Sequence, residues 1–320
     1  KLNKSLYGLK QASNEWNQDI NNTLIFKLSY IRSINDQCVY FKRSKTNQPM
    51  ILGLFVDDIL SIYSKEDENE WAECKNIIKS IYKIKDLGDA QWILKMRIQR
   101  ERNNRLLTLD KESYINKIIN KFNMSDAGIN ITTPACNSIK LSNEQCPHTN
   151  QEIEEMKLKP YLQLIGSLLY ASISTRIDIS YIVSKLTRFN KSPGKIHWEA
   201  AKRVVRYLKG SIKSKLLFRG NNSSNELIVS GYSDSDWAGD IDDKKSTTGY
   251  IIKLNNCAIS WLSKKQEVVA TSSCEAELLA LATITKEIIW TRNFIDELTL
   301  NKNLQIQSQI WCDNQSTIQI

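Results

Sequence analysis

The sequence has few histidines, no closely paired cysteines and no long apolar segment. It contains only two histidines, which argues against a histidine-based metal site or a Ser-His-Asp triad. Its seven cysteines are scattered and odd in number, and no two of them form a C-x-x-C pair. That usage favours a reducing compartment over a zinc site or a disulfide framework. No stretch approaches the roughly 20 apolar residues of a transmembrane helix. Any metal chemistry must therefore rest on carboxylates.

Length and charge narrow the classes of function. At 320 residues the chain is long enough for more than one domain, and 41% apolar with 25% charged residues is typical of a globular protein. The net charge of +9 favours a polyanionic partner, and a basic protein without such a partner is the alternative. Because the chain starts at Lys1 and stops shortly after Asp313, we expect a fragment of a longer polypeptide.

Two adjacent aspartates, Asp57 and Asp58, interrupt an apolar run that extends from Met50 to Tyr63. The run predicts two strands that fold back as a hairpin around the pair. Desolvating an unpaired carboxylate is costly, so we expect a compensating partner, and a hard cation such as Mg2+ suits clustered carboxylate oxygens. The alternative is a solvated turn, because aspartate is common in turns.

Hydrophobic periodicity predicts alternating helical and extended segments. Helices are expected over residues 1–30, 65–82, 111–123 and 161–217, and strands over residues 38–42, 49–63, 90–100, 105–109, 227–232, 249–254, 258–262 and 306–312. A capping-box signature, Ser272 followed by Glu275, predicts the start of a further long helix. The polar stretch 125–160, which carries three prolines, is the best linker candidate.

Motifs in collinear order along the chain resemble those of one family. Leu6-Tyr-Gly-Leu-Lys-Gln-Ala12 with Trp16, followed by Phe55-Val-Asp-Asp-Ile-Leu60, resembles the reverse transcriptase of Ty1/copia-type LTR retrotransposons. The resemblance continues through Lys85–Ala90, Tyr161–Tyr170, Thr175–Ile179, His197–Arg203, Gly231–Gly239, Ser260–Gln266 and Cys312–Asn314. Such a series is far more specific than any single motif.

The resemblance implies a mixed α/β fold in two lobes. It implies a partial reverse transcriptase palm at residues 1–110, a thumb-like helix and linker at 111–145, and a helical connection at 146–225. A C-terminally truncated RNase H-like domain is implied at 226–320. The implied function is RNA-directed DNA polymerase with ribonuclease H activity, within the Pol polyprotein of a retrotransposon.

The same resemblance assigns roles around the first aspartate pair. It implies that Asp57 is the metal-binding aspartate of the palm and that Asp58, its neighbour, has a weaker metal role. Tyr7, Gly8 and Lys10 match an element that lies against the incoming nucleotide and the template. For Lys10, a solvated helix lysine is an equal alternative.

The sequence also departs from the family pattern. Lys95 stands where the family usually has glycine, and Ser13 and Ile177 replace usual prolines. The family places another catalytic aspartate upstream of the motif that begins at Leu6, and only five residues precede Leu6 here. We therefore expect this chain by itself to polymerise poorly or not at all.

A second carboxylate set follows from the resemblance to RNase H-like domains. Asp234 ends a predicted strand, Glu277 lies early in the long helix, and Asp313 ends a later strand. In that fold these three points converge, so the resemblance implies that the three carboxylates bind Mg2+, or Mn2+, for phosphodiester cleavage. The alternative is three unrelated surface acids. Asp236 need not lie in the site. The family normally has a fourth acidic ligand after Asp313, and because the chain ends seven residues later we expect that ligand to be missing here.

A basic stripe is predicted on the helix that follows His197. Lys202, Arg206, Lys209 and Lys213 recur at spacings that place them on one helix face, and such a stripe can follow a phosphate backbone. A solvated helix face is the alternative. Trp198 is expected in the core rather than in base stacking.

The implied partners are an RNA template, a DNA primer, an RNA–DNA hybrid, deoxynucleotides and the rest of the Pol polyprotein, without a membrane. The implied location is a cytoplasmic virus-like particle, with a nuclear stage at DNA integration. Two alternatives remain open. One is a catalytically dead remnant that only binds nucleic acid, and the other is an unrelated basic scaffold whose acids are structural.

Overall fold

The computed structural model describes residues 8–126, 128, 131–136, 138–220, 226–299 and 305–320. Contacts divide the chain into two compact units. The first unit comprises Lys1–Ala90 together with Ile289–Leu304, and the second comprises Gln91–Ile288 together with Gln305–Ile320. The mixed α/β class expected from the sequence is confirmed, whereas the four-part domain division stays a prediction.

Up to Ala90, the described residues of the first unit form two α-helices and an antiparallel sheet. Helix α1 spans Ala12–Asn22 and continues as a π-helical turn, Thr23–Lys27. The strands β1 (Ile31–Arg32), β2 (Val39–Arg43), β3 (Pro49–Phe55) and β4 (Asp58–Ile62) pair in chain order, and α2 (Glu68–Ile81) follows. Alternate residues of β3 are buried with apolar residues of both helices, so the strand has the two-residue period of a sheet with one packed face. The predicted hairpin and second helix are confirmed.

The second unit begins with another antiparallel sheet. Its strands are β5 (Trp92–Ile93), β6 (Met96–Glu101), β7 (Leu106–Asp110) and a distant fourth strand, β8 (Leu216–Arg219). The helix expected to run to residue 217 is therefore wrong at its end, because Leu216 and Leu217 pair with β7. A β-pairing partner far along the chain is invisible to local periodicity.

In the part of the segment between β7 and β8 that the structure describes, five α-helices share one apolar core. They are α3 (Glu112–Lys121), α4 (Asn150–Lys157), α5 (Tyr161–Ser172), α6 (Ser180–Thr187) and α7 (Lys195–Gly210). Helix α4 lies inside the stretch expected to be irregular, and only its Met156 is buried. A reciprocal capping box between Thr149 and Glu152 stabilises its start, so local capping supports a helix whose apolar pattern is weak.

The last sheet is mixed and carries the long helix. The strands β9 (Glu226–Asp236), β10 (Thr247–Leu254), β11 (Cys257–Lys265) and β12 (Gln305–Trp311) lie in the order β11-β10-β9-β12. Helix α8 spans Ser273–Thr299, and a short helix α9 spans Gln315–Gln319. Gly231 on β9 approaches Ile284 and Ile288 of α8 so closely that a Cβ at that position would lie 2.6 Å from Ile288. The glycine thus allows close helix–sheet packing.

Helix α8 starts where the sequence predicted. The backbone N–H of Glu275 donates to the Ser272 hydroxyl, as in a capping box, but the Glu275 carboxylate accepts from the backbone and hydroxyl of Thr271. Within the described residues, no helix is long and apolar enough to cross a membrane.

Candidate catalytic sites

The β3–β4 hairpin places the first aspartate pair at its tip. Phe55 pairs with Asp58 across the hairpin, and Val56 and Asp57 form the turn. Both aspartates are exposed, and so are Phe55 and Val56, at 53% and 63%. The expectation that a buried hairpin desolvates these carboxylates is therefore wrong. The buried face of β3 ends at Leu54, and the turn residues extend past it into solvent.

Val56 is held in an unusual backbone conformation. Its φ is +53°, in the left-handed region that β-branched residues rarely adopt. The indole N–H of Trp16 on α1 donates to the Val56 carbonyl at 2.7 Å, and the Trp16 ring meets the Tyr82 ring edge-on at a centroid distance of 5.3 Å. The turn that carries Asp57 is thus fixed by a side chain 40 residues away in sequence.

The residues predicted to contact nucleotide and template lie at the start of the described chain. Tyr7 lies outside the described residues. Gly8 has a φ of +92°, a conformation that glycine adopts without steric cost, and Lys10 is exposed just before α1. Their assigned roles, like those of Asp57 and Asp58, stay predictions.

The second carboxylate set meets at one edge of the mixed sheet. Strands β9 and β12 are adjacent and parallel, with Tyr232 opposite Trp311. Asp234 and Asp313 each lie two residues beyond that pair, so both come to the same end of the sheet. Glu277 lies in the first turns of α8 and accepts a hydrogen bond at 2.9 Å from the backbone N–H of Ser235, the residue after Asp234.

Glu277 is the buried member of this group. It is 5% exposed, whereas Asp234 and Asp313 are exposed. Burial raises the pKa of Glu277, and the negative charges of Asp234 and Asp313 raise it further, against the lowering effect of the Ser235 N–H. The structure therefore brings together the three carboxylates predicted from the sequence closely enough for them to interact electrostatically.

Sequence reasoning missed one donor at this edge, Cys312. One ligand atom each from Glu277, Cys312 and Asp313 lies within 4.8 Å of the others. The Cys312 thiol donates to Glu277 Oε2 at 3.9 Å. The signal was the position of Cys312 directly before Asp313, which a search for paired cysteines overlooks.

The donor set fits a divalent cation. Among the described residues, neither hydrogen bonds nor electrostatic contacts provide Glu277 with a positively charged partner. A buried carboxylate beside two like charges is costly without a compensating cation. Carboxylate oxygens are the ligands that Mg2+ and Mn2+ prefer, so Asp234, Glu277 and Asp313 are the residues that would hold such an ion.

Asp236, two residues after Asp234, has other contacts. Its carboxylate accepts from the backbone N–H of Thr247 on β10 and, at 3.4 Å, from the Tyr181 hydroxyl. These bonds fix the end of β9 against its neighbours.

The predicted basic stripe is not one exposed helix face. Helix α7 ends at Gly210, so Lys213 lies beyond it in the following turn, and the expected alignment of all four cations is wrong. Lys202 forms an ion pair with Glu199 at 2.7 Å, and Lys209 donates to the backbone carbonyl of Ser125.

Other large side chains of α7 pack against the rest of the protein or form hydrogen bonds with it. Arg206 is half-buried, and Trp198, as expected, is buried in the core. The Tyr207 hydroxyl donates to Asp178 at 2.7 Å. Nucleic-acid binding by this helix stays a prediction.

Comparison with known proteins identifies the family to which the chain belongs. The family model for reverse transcriptase (RNA-dependent DNA polymerase) matches residues 1–137. The putative transposon Ty5-1 protein of Saccharomyces cerevisiae is 34% identical over 289 residues, which are 88% of this chain and 87% of that protein. The chain belongs to the Ty1/copia-type retrotransposon Pol family. Its sequence-based recognition as a member of that family is confirmed.

Other members of the family are much longer. The copia-type chain is 42% identical over all 320 residues to the retrovirus-related Pol polyprotein from transposon TNT 1-94 of Nicotiana tabacum, and covers 23% of it. It is 34% identical to the corresponding polyprotein from transposon RE1 of Arabidopsis thaliana, over 98% of this chain and 20% of that protein. The chain thus spans about a quarter or less of the length of these polyproteins.

One solved structure is a distant match. A foamy viral protease–reverse transcriptase in complex with double-stranded DNA aligns with 96% of this chain and 43% of its own, at 12% identity and a TM-score of 0.45.

Proposed function

We propose that this chain contributes two sites to the reverse transcription of a copia-type element. The first is the palm hairpin of an RNA-directed DNA polymerase, with Asp57 and Asp58 as metal ligands. The second is a ribonuclease H site made by Asp234, Glu277 and Asp313, which removes the RNA strand of the hybrid. The convergence of these three carboxylates at the ends of the parallel strands β9 and β12 is the observation that carries the second site.

The geometry supports a division of labour among the three carboxylates. Divalent ions bound there would activate a water molecule and stabilise the leaving oxygen of the phosphodiester. Glu277 lies at the floor of the site, oriented by the Ser235 N–H, and the exposed Asp234 and Asp313 face the side from which a nucleic acid can approach. Burial and the neighbouring carboxylates raise the pKa of Glu277, and the positive charge of a bound cation would oppose that effect and favour the ionised form.

The polymerase proposal rests on family membership and on the hairpin. An exposed turn lets Asp57 and Asp58 reach a metal shared with a nucleotide, and the bond from Trp16 holds that turn in one conformation. Tyr7, Gly8 and Lys10 are proposed to lie against the incoming nucleotide and template. Mg2+ or Mn2+, primer, RNA template and deoxynucleotides are the proposed cofactors and substrates, and a cytoplasmic virus-like particle is the proposed location.

Cleavage of an end-labelled RNA strand annealed to DNA tests the second site. The purified chain with Mg2+ or Mn2+ is expected to cleave the RNA, and Glu277→Gln is expected to abolish cleavage. Glu275→Gln is the matched control, because Glu275 lies on the same helix and contacts Thr271 instead of the site. Hybrid binding that weakens with salt, without cleavage, would instead favour a remnant that only binds nucleic acid.

Primer extension tests the palm hairpin in the Pol polyprotein that carries this segment. Asp57→Asn is expected to abolish extension, whereas Glu66→Gln, an exposed change on the same unit, is expected to leave it intact. Extension by Asp57→Asn at the wild-type rate would refute the assignment.

A further inference from the structure

Cys312 gives the carboxylate site a donor of a different chemical kind. Its Sγ lies 3.9 Å from Oε2 of the buried Glu277, and the exposed Asp313 is the next residue in the chain. The ligand atoms of Glu277, Cys312 and Asp313 all lie within 4.8 Å of one another. The other cysteines among the described residues do not belong to a group of this kind.

An independent observation points to a cation at this position. Glu277 is 5% exposed, and its hydrogen-bond partners are one backbone N–H and the distant thiol. Nearby Asp234 and Asp313 add negative charge instead of balancing it. A positive ion would balance this charge, and donors on the Cys312 side as well as on the Asp234 side could hold it.

Metal ions differ in how they treat these donors. Mg2+ is a hard ion that binds oxygen ligands and leaves thiolates aside. Zn2+ and Cd2+ accept sulfur together with carboxylate oxygen, and a tetrahedral zinc site with Zn–S near 2.3 Å and Zn–O near 2.1 Å separates sulfur from oxygen by roughly 3.6 Å. The present separation of 3.9 Å between Cys312 Sγ and Glu277 Oε2 is close to that value.

We propose that Glu277, Cys312 and Asp313 form a binding site for a thiophilic divalent cation such as Zn2+, which excludes Mg2+ from the carboxylates. The ion takes one oxygen from each carboxylate and the Cys312 sulfur, and the thiol proton passes to solvent as the metal–sulfur bond forms. Because this ion uses carboxylate oxygens of Glu277 and Asp313, it competes with Mg2+ for them. At the proposed ribonuclease H site, the thiophilic ion acts as an inhibitor that competes with Mg2+. This consequence rests on the proposed function.

Cadmium titration of the purified, reduced chain tests the site directly. Thiolate–Cd2+ bonds absorb in the ultraviolet, so the wild-type chain is expected to develop a charge-transfer band that saturates at one equivalent and disappears with a chelator. Cys312→Ser is expected to lose the band. Cys274→Ser is the matched control, since Cys274 is also half-buried near Glu277 and contacts Thr317, and it is expected to keep the band. Glu277→Gln is expected to weaken the binding.

The outcomes separate this proposal from the proposed function. A wild-type chain without the band, or a band that survives in Cys312→Ser, overturns the cation site. In the same samples, Mn2+ is expected to be released as Cd2+ binds, and electron paramagnetic resonance measures the free Mn2+. Mn2+ that stays bound at saturating Cd2+ would refute the proposal that the two ions compete. Failure to cleave a hybrid with Mg2+ would refute the ribonuclease proposal while leaving the cadmium band in place.

Discussion

The indole N–H of Trp16 donates a hydrogen bond of 2.7 Å to the carbonyl of Val56, the residue before Asp57. Val56 has a left-handed backbone conformation, which costs a β-branched residue on the order of 1–2 kcal/mol. Such a conformation persists only where neighbouring contacts fix it. Helix α1 therefore takes part in the geometry of the aspartate hairpin, although it carries no carboxylate of the proposed site.

Replacing Trp16 with phenylalanine is predicted to remove this bond while keeping an aromatic ring beside Tyr82. We expect the free energy of unfolding to fall by about 0.5 to 1 kcal/mol, the net value of a hydrogen bond that water can partly replace. Urea denaturation measures the change. Trp92→Phe on β5, where Trp92 is 51% exposed, is the control and should shift the midpoint much less. Equal shifts for the two variants would argue against the role of the bond.

Lys95 occupies a backbone conformation that glycine adopts more readily than lysine. Its φ is +59°, and it forms the tight turn between β5 and β6 with Leu94, at +47°. Lys95→Gly is therefore predicted to raise the free energy of unfolding by about 1 kcal/mol. Lys117→Gly, in the exposed middle of α3, should lower it by about 1 kcal/mol. Thermal denaturation of the two variants measures these changes. Equal destabilisation of both variants would contradict the prediction for Lys95.

Gly194 is predicted to be intolerant of any side chain. A Cβ at this position would lie 1.7 Å from the backbone carbonyl oxygen of Gln145, which cannot move without disturbing the chain around it. Gly194→Ala should cost more than about 3 kcal/mol or prevent folding, in line with other overpacked sites. Gly166→Ala in α5 meets nothing within 4 Å and should stabilise the chain slightly. Comparable melting temperatures for the two variants would show that the 145–194 contact is not as tight as described.

His197 makes the stability of the helical core dependent on pH. It is buried, its Nδ1 accepts from the Gly194 backbone N–H at 2.9 Å, and burial lowers its pKa from the ordinary value of 6.5. As pH falls below 6.5, the unfolded imidazole binds a proton that the folded one resists, so the free energy of unfolding decreases. Its contribution is fully present above 6.5 and is lost on acidification.

Urea denaturation at about pH 7.5 and about pH 5 measures the effect of His197. His197→Gln is predicted to be less stable at the higher pH and to lose part of the dependence on pH. His148→Gln, a change at an exposed histidine, should retain that dependence. A dependence that follows His148 instead would refute the assignment.

The placement of Glu277 shows how much of the later site the sequence could predict. Strand-like runs ended at Asp234 and Asp313, and a capping signature located the start of the helix that carries Glu277. These are local signals, and the parallel pairing of β9 with β12 brings their ends together. The position of Cys312 directly before Asp313 is visible in the sequence, whereas its approach to Glu277 depends on a distance across the sheet edge.

The failures of sequence reasoning have equally local causes. The apolar residues on both sides of Asp57 and Asp58 indicate desolvated carboxylates, but the fully buried residues of β3 are Met50, Leu52 and Leu54. Cation spacing extended the basic stripe to Lys213, although the helix ends at Gly210. In both cases the residue pattern does not show where the buried strand or the helix ends. That end depends on packing.

Titration of the chain with Mn2+, with the free ion counted by electron paramagnetic resonance, tests the carboxylate site most directly. The wild-type chain and Glu275→Gln are predicted to bind Mn2+ equally. Glu277→Gln is predicted to lose this binding with its circular dichroism unchanged, because glutamine keeps the acceptor for the Ser235 N–H while removing the buried charge. Binding by Glu277→Gln at the wild-type affinity would contradict the account.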